Sequence, residues 1–450
     1  MGGGVRVVTA PVPVSPQRRD QENRCVGSPA ALRDRAEAEA YVASVCFKHG
    51  PPTRLGAELE WVAQHSGNPH RRLDARRLAD ALGPHAPPSL CPDSPHLPLP
   101  HGSTVTVEPG GQLEISSRPR PSLAELITTV DGDTAALTDL LDPAGLVLTG
   151  HACDPLRPSR RLLDVPRYAA MEATFDRVGP LGRVMMCSTA AVQVCLDAGT
   201  RGQVADRWAA LHDLGPVLIA AFANSPWRDG RPTGWASSRM HAWFDLDPVR
   251  TRPRPVHPDP AADWARRALD TPLLCQRRPG PQWDVPGGVT FADWLAGALP
   301  GTPTTEDLDY HLTTLFPPVR PRGHLEVRYL DTQPTGQWAV PVAVVAALLA
   351  DPQTTDAARD ACAPTVGRWF AAAREGLRDR SLASAAVEVF ELACDRLPGL
   401  GAPWWLRSLV EDVTEHRVRR GRCPADDMTD PLTRDPLTRR DATRPRGGLP

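Results

Sequence analysis

The sequence predicts an α+β fold: an antiparallel β-sheet with one apolar face packed on helices and one face lined with Glu, Gln and Arg. Three segments carry this reading. In GAELEWV, residues 56–62, period-2 alternation puts Ala57, Leu59 and Trp61 on one face and Glu58 and Glu60 on the other. In EPGGQLEISS, residues 108–117, a Pro-Gly-Gly turn follows Glu108 and joins two extended pieces; Leu113 and Ile115 share one face, and Gln112, Glu114 and Ser116 the other. In GHLEVRYLD, residues 323–331, Leu325, Val327 and Tyr329 face one way and Glu326 and Arg328 the opposite way.

Around these strands the chain reads as follows. Residues 1–26, rich in Gly, Pro and Arg, predict a disordered lead-in. A helical stripe runs from Ala30 to Cys46. Strands are predicted at 55–62, 103–108, 112–117, 184–196 and 324–330, and helices at 122–142, 204–223 and 260–270. Proline-laden breaks fall at 83–102 and 251–260. After residue 338 the pattern is helical, beginning with AVPVAVVAALLA and continuing at 356–377, 381–396 and 403–420, with Trp369, Phe370, Trp404 and Trp405 as packing anchors. One domain, 27–420, is expected, with core motifs at 54–336 and a helical part at 337–420; the polar repeat DPLTRDPLTRRD points to a disordered tail over 421–450.

Composition excludes several function classes. The net charge of -2 gives no general attraction to nucleic acid or to an anionic membrane surface. Lys48 is the only lysine, so neither a Walker A loop nor the strand lysine of a protein kinase can be assembled, and phosphate chemistry must rest on arginines and metal ions. The ten cysteines are scattered without a CxxC pair, which reads as reduced thiols in a cytoplasmic protein. The apolar stretch near the N-terminus is short and broken by proline, and no apolar run approaches the ~18 residues of a membrane span.

Paired carboxylates on one strand face repel each other unless water, arginine or a metal separates them. A solvated face accounts for any one such strand. Three strands repeating glutamate without lysine favour Mg²⁺, a hard cation that binds oxygen and is shared with substrate phosphates. Gln193, in MMCSTAAVQVCLD, and Arg239, Trp243, Asp247 and Arg250, in the turn-rich segment 222–251, add polar and cationic groups. Such arginines can clamp a carboxylate or phosphate bidentately, or simply pair with surface acids.

The ordered set GAELEW, TVEPGGQLEISS, RYAAMEATF, MMCSTAAVQVCLD, ANSP, SSRMHAWFDLDPVRT and HLTTLFPPVRPRGHLEVRYLDTQP resembles the family 2 glutamate-cysteine ligases, and within them the actinobacterial ligases of ergothioneine biosynthesis. The resemblance implies a glutamine-synthetase-like sheet forming a half-open funnel, and a ligase joining L-glutamate to L-cysteine with ATP and Mg²⁺. It implies that Glu58, Glu60, Glu108, Glu114 and Glu326 form the metal cluster. Gln193 is then a ligand or a nucleotide contact. Arg167 and Arg239 would hold glutamate and the transferring phosphoryl group, Arg328 would stabilise the acyl phosphate, and Met186 and Thr189 would border the amino-acid pocket. A ligase of the same superfamily with a different amine acceptor is the alternative.

Overall fold

In a computed structural model of the chain, residues 30–431 are described. The expected lead-in at 1–26 and the end of the expected tail lie outside them.

Six strands make a continuous antiparallel path: β1 (Leu55–His65), β2 (Thr104–Val107), β3 (Leu113–Ser116), β5 (Ala191–Leu196), β8 (Val319–Pro321) and β9 (Leu325–Asp331), in the order β2-β3-β1-β5-β9-β8; β4 (Leu146–Thr149) pairs with the far end of β1. A separate ribbon joins β6 (Trp227–Arg228) and β7 (Arg231–Pro232). The mixed architecture and the antiparallel sheet agree with the sequence reading.

Register follows from the alternation. Ala57, Leu59, Trp61, Leu113, Ile115, Val192, Val194, Leu325, Val327 and Tyr329 are all buried and form one face of the sheet. Against that face pack the helices Leu123–Leu141, Gly215–Phe222 and Ala339–Leu348. The last of these is apolar on every side, which suits a helix enclosed by sheet and by other helices. Tyr329 reaches across the layer and donates its hydroxyl to the Leu211 carbonyl at 2.9 Å, so its buried polar atom is satisfied. One hydrophobic cluster extends from Leu32 to Val418.

Several local expectations are corrected. Segment 184–196 is not one strand: Leu181–Ser188 is helical and only Ala191–Leu196 is extended. A short apolar run does not distinguish a buried helix turn from a strand. Thr189 ends the helix by donating its hydroxyl to the Met185 carbonyl at 2.7 Å. The segment expected to be rich in turns contains the helix Ser238–Leu246, capped by Ser237. The helical run 204–223 breaks at Leu214, just before Pro216, and 356–377 divides into Pro352–Cys362 and Trp369–Glu375. Trp369 is a core anchor, whereas Trp404 is 67% exposed. Residues 421–431, expected to begin the disordered tail, instead lie against the body, with Cys423 and Ala425 buried beside Ala223 and Ala236.

Candidate active site

The polar face of the sheet forms one side of a cavity of about 600 Å³. Cross-strand pairing gathers the carboxylates there: Glu60 lies opposite Glu114, Glu114 opposite Thr106, and Glu58 opposite both Ser116 and Gln193. Glu108 enters from the turn between β2 and β3. That turn is closed by Glu108 N–H to the Gln112 carbonyl at 2.9 Å and Gly111 N–H to the Glu108 carbonyl at 2.8 Å. Gly111 has φ +95, and a Cβ on Gly110 would sit 2.1 Å from the Cys187 carbonyl oxygen, so two glycines are required in succession. Gly110→Ala is therefore expected to displace Glu108 and lower turnover, while a denaturation midpoint close to wild type shows the rest of the fold intact; wild-type kinetics would contradict this locking role.

The opposite walls come from outside the sheet. Arg167 is carried by the helix Pro166–Asp176, where its guanidinium donates to the Thr313 hydroxyl at 2.9 Å and the Thr313 carbonyl at 3.0 Å and lies over Tyr310. Met186 and Thr189 flank the end of the helix Leu181–Ser188, and Trp243 and Phe316 close the apolar side. Gln112 donates its amide to the Thr189 carbonyl at 2.9 Å, while its Oε1 is buried without a partner.

A hydrogen-bond relay crosses the cavity floor. Glu326 takes the Arg320 guanidinium on both oxygens, at 2.7 and 2.8 Å, and also accepts from Arg328. Arg328 donates to Gln193 Oε1 at 2.6 Å, and the Gln193 amide donates to Glu60 at 2.7 Å. Gln193 thus links an arginine to a carboxylate. Arg328 retains a buried Nε without a partner and lies over Trp243 at 5.8 Å, so it has capacity for an incoming anion.

Two residues of the expected set do not line the cavity. Glu326 is fully buried behind the floor with both oxygens on guanidinium groups, so as the side chains stand it anchors two arginines. Arg239 is 1% exposed and faces Asp331 at 3.5 Å, donates to the Arg328 carbonyl at 2.6 Å and lies over Trp243 at 5.0 Å. As the side chains stand it supports Arg328 and Trp243 from below the floor. Asp331, which holds Arg239, also accepts from Ser225 and Ser237, both at 2.9 Å. Arg250, left open between clamp and ion-pair partner, is buried in a network with Asp247, Thr314 and Pro272 and is structural.

Glu58, Glu60, Glu108, Glu114, Arg167, Met186, Thr189, Gln193 and Arg328 do come together around the cavity. Arg320 was missed by sequence reasoning. Its signal lies in the hairpin VRPRGHLEV, where pairing folded about Gly323 sets Arg320 opposite Glu326.

Electrostatics separates the carboxylates. Burial, together with Glu326 and Glu114, pushes Glu58 up to about 8; burial and Glu60 push Glu114 up to about 7. Burial also raises Glu108, with Glu114 and Glu60 adding to it, and raises Glu60 against the opposing pull of Arg239 and Arg328. Burial acts upward on Glu326 as well, but Arg320 and Arg328 outweigh it and hold this carboxyl well below its ordinary value. Among the described residues none of the four cavity carboxylates forms an ion pair, whereas Glu326 forms two. Among the described residues no group of three or more His, Cys, Asp or Glu side chains is already closed around a point that would hold an ion. Hard oxygen donors with raised proton affinity nevertheless fit a divalent cation that replaces those protons.

An antiparallel sheet whose polar face combines carboxylates with anchored arginines makes a cavity suited to an enzyme acting on anionic substrates. The chain belongs to glutamate-cysteine ligase family 2, whose model matches residues 54–444 and so extends through the C-terminal helices. Glutamate–cysteine ligase EgtA of Mycolicibacterium smegmatis is 40% identical over 411 residues, covering 89% of this chain and 92% of that protein. The chloroplastic glutamate–cysteine ligase of Brassica juncea is 32% identical over 350 residues, covering 72% of this chain and 66% of the relative. A solved glutamate–cysteine ligase from Francisella tularensis, in complex with AMP, shares 14% identity and aligns over 85% of each chain with a TM-score of 0.48.

Proposed function

We propose that this protein ligates the γ-carboxylate of L-glutamate to the amine of L-cysteine at the expense of ATP, giving γ-glutamylcysteine, ADP and phosphate, and that the product supplies ergothioneine biosynthesis. The observation that carries this reading is the 40% identity to EgtA across nearly the whole of both chains. The cavity supports it independently, because the reaction brings a carboxylate against a polyphosphate and needs cationic groups fixed before the charges meet. No described helix is long and apolar enough to cross a membrane.

In this reading Arg167 binds an anionic group of glutamate from the helical wall, with Met186 and Thr189 bordering the amino acid. The γ-carboxylate oxygen attacks the terminal phosphorus of ATP, the bond to ADP breaks, and γ-glutamyl phosphate forms. Arg328 stabilises the charge on the transferring phosphoryl group; Glu326, Gln193 and the Arg239 contact to its backbone hold it in place. The neutral cysteine amine then attacks the acyl carbon, phosphate leaves, and the amine proton is released. Glu58, Glu60, Glu108 and Glu114 would hold Mg²⁺, which supplies neutralisation of the phosphate oxygens.

The acceptor panel is the direct test: cysteine, other amino acids and simple amines are offered with ATP and glutamate, and amide products are identified by mass. Cysteine is expected to give the highest kcat/KM. A markedly higher value for another amine would assign the enzyme to the same superfamily with a different acceptor.

Metal dependence has a second readout. The folded protein retains protons on Glu58 and Glu114 that an unfolded chain, with carboxyls near 4.5, has released. Without a divalent ion, stability contributed by these protons is present at low pH and declines as pH rises from about 5 toward 8. Mg²⁺ should therefore raise the thermal midpoint more at about pH 8 than at about pH 6. An upshift that is larger at the lower pH would contradict this assignment of the carboxylates.

A further inference from the structure

A second cavity, about 280 Å³ in volume, is walled by Gly110, Gly111 and Gln112 of the turn that carries Glu108, and none of the four active-site glutamates lines it. Its charge is the reverse of the catalytic floor. Arg72, Arg157, Arg160 and Arg161 line it against one carboxylate, Asp154. Asp154 is taken by Arg157 at 2.6 Å, and Arg161 is held by Glu172 at 3.0 Å and Asp164 at 3.1 Å. Arg72 and Arg160 have neither an ion pair nor a side-chain hydrogen bond among the described residues. With Arg161 they also border an outer hollow, so their charge faces arriving solutes.

The segment bearing these arginines is mounted on the Glu108 turn. Leu162 N–H and Leu163 N–H both donate to the Pro109 carbonyl, at 2.6 and 3.1 Å, which ties the stretch with Arg160 and Arg161 to the turn. A Cβ on Gly111 would lie 2.8 Å from Leu162 Cδ2 and 2.9 Å from Leu73 Cδ1, so both leucines pack against bare backbone there. Arg72, next to Leu73, is fixed separately: its carbonyl accepts from His65 Nε2 at 3.2 Å. Two segments distant in sequence thus bring unpaired guanidinium groups to one small, partly apolar hollow, where they repel each other until an anion enters.

We infer that this cavity is a binding site for a small dicarboxylate, separate from the catalytic cavity, with the carboxylates on Arg72 and Arg160 and the carbon chain against Leu73 and Leu162. A guanidinium group presents paired donors that match a carboxylate. The volume falls below the ~300–1,000 Å³ of sites for drug-sized molecules, which favours a small metabolite over a nucleotide or a peptide. The leucines favour an organic anion over inorganic phosphate, since phosphate leaves their surface in contact with water. Through Leu162 and its bond to Pro109, the ligand braces the turn from which Glu108 enters the active site.

The test is calorimetric titration of succinate, and separately of inorganic phosphate, into the full chain and into the double variant Arg72→Gln, Arg160→Gln. Both side chains are exposed and unpaired, so the variant should keep the wild-type denaturation midpoint. Succinate should bind saturably and lose about tenfold or more in affinity in the variant, as removal of charge-assisted hydrogen bonds requires. Phosphate should bind more weakly than succinate. Amide hydrogen exchange should slow on succinate binding at residues 110–112 and 159–163, a readout that does not depend on ligation. Succinate binding of equal strength in the double variant would place the ligand elsewhere, at Arg167 above all, and overturn the inference. Binding without protection of these two segments, tighter binding of phosphate, or no saturable binding of succinate would overturn it as well.

Discussion

Arg328→Lys is expected to lower kcat about a hundredfold while the protein stays folded. Arginine at this position serves two partners at once: it donates to Glu326 and to Gln193, and its Nε remains for a third. A lysine keeps the charge but presents a point donor on a flexible stem, so it cannot reproduce the planar fork. The loss should fall on kcat more than on KM for glutamate, because the charge Arg328 meets develops during phosphoryl transfer. Wild-type turnover in Arg328→Lys would remove the residue from the transition state. A loss confined to KM would make it a ground-state binding group.

The second large effect separates two glutamates that look alike in sequence. Glu326→Ala should destabilise the protein by about 3–5 kcal/mol, measured by denaturant unfolding, because it leaves Arg320 and Arg328 buried without their common partner. Glu60→Gln should behave differently. It keeps an oxygen to accept from Gln193 and relieves repulsion from Glu58, so the denaturation midpoint should be no lower than wild type, while ligation is lost with the metal-binding charge. If Glu326→Ala unfolds like the wild type, the arginine-anchor account fails. If Glu60→Gln turns over normally, Glu60 is not part of the metal site.

Much of this floor was legible because period 2 admits few alternatives. Once Leu59 and Trp61 are buried, Glu58 and Glu60 must face the other way, and the same holds for Glu114 against Ile115 and for Arg328 against Tyr329. Cross-strand distances were not legible, and they decide roles. Nothing in the local pattern of LEVR distinguishes a glutamate that faces a cavity from one buried under two guanidinium groups; that depends on Arg320 arriving from β8. Arg239 poses the same difficulty. Its segment reads as a polar loop, yet Ser237 caps a helix there and Asp331, from the end of β9, holds the guanidinium below the floor. The helix Leu181–Ser188 was misread because Val184, Met185 and Met186 suit either a buried helical turn or a strand, and only tertiary packing selects between them.

The central claim is that the cavity carboxylates and anchored arginines serve ATP-dependent ligation of glutamate to cysteine. ADP release by the purified protein with Mg²⁺, ATP and glutamate, measured with and without cysteine and with mass analysis of the product, tests it most directly. The account predicts sustained ADP release only when cysteine is present, together with γ-glutamylcysteine. Equal ADP release without cysteine, or a product lacking the γ-glutamyl amide bond, would contradict it.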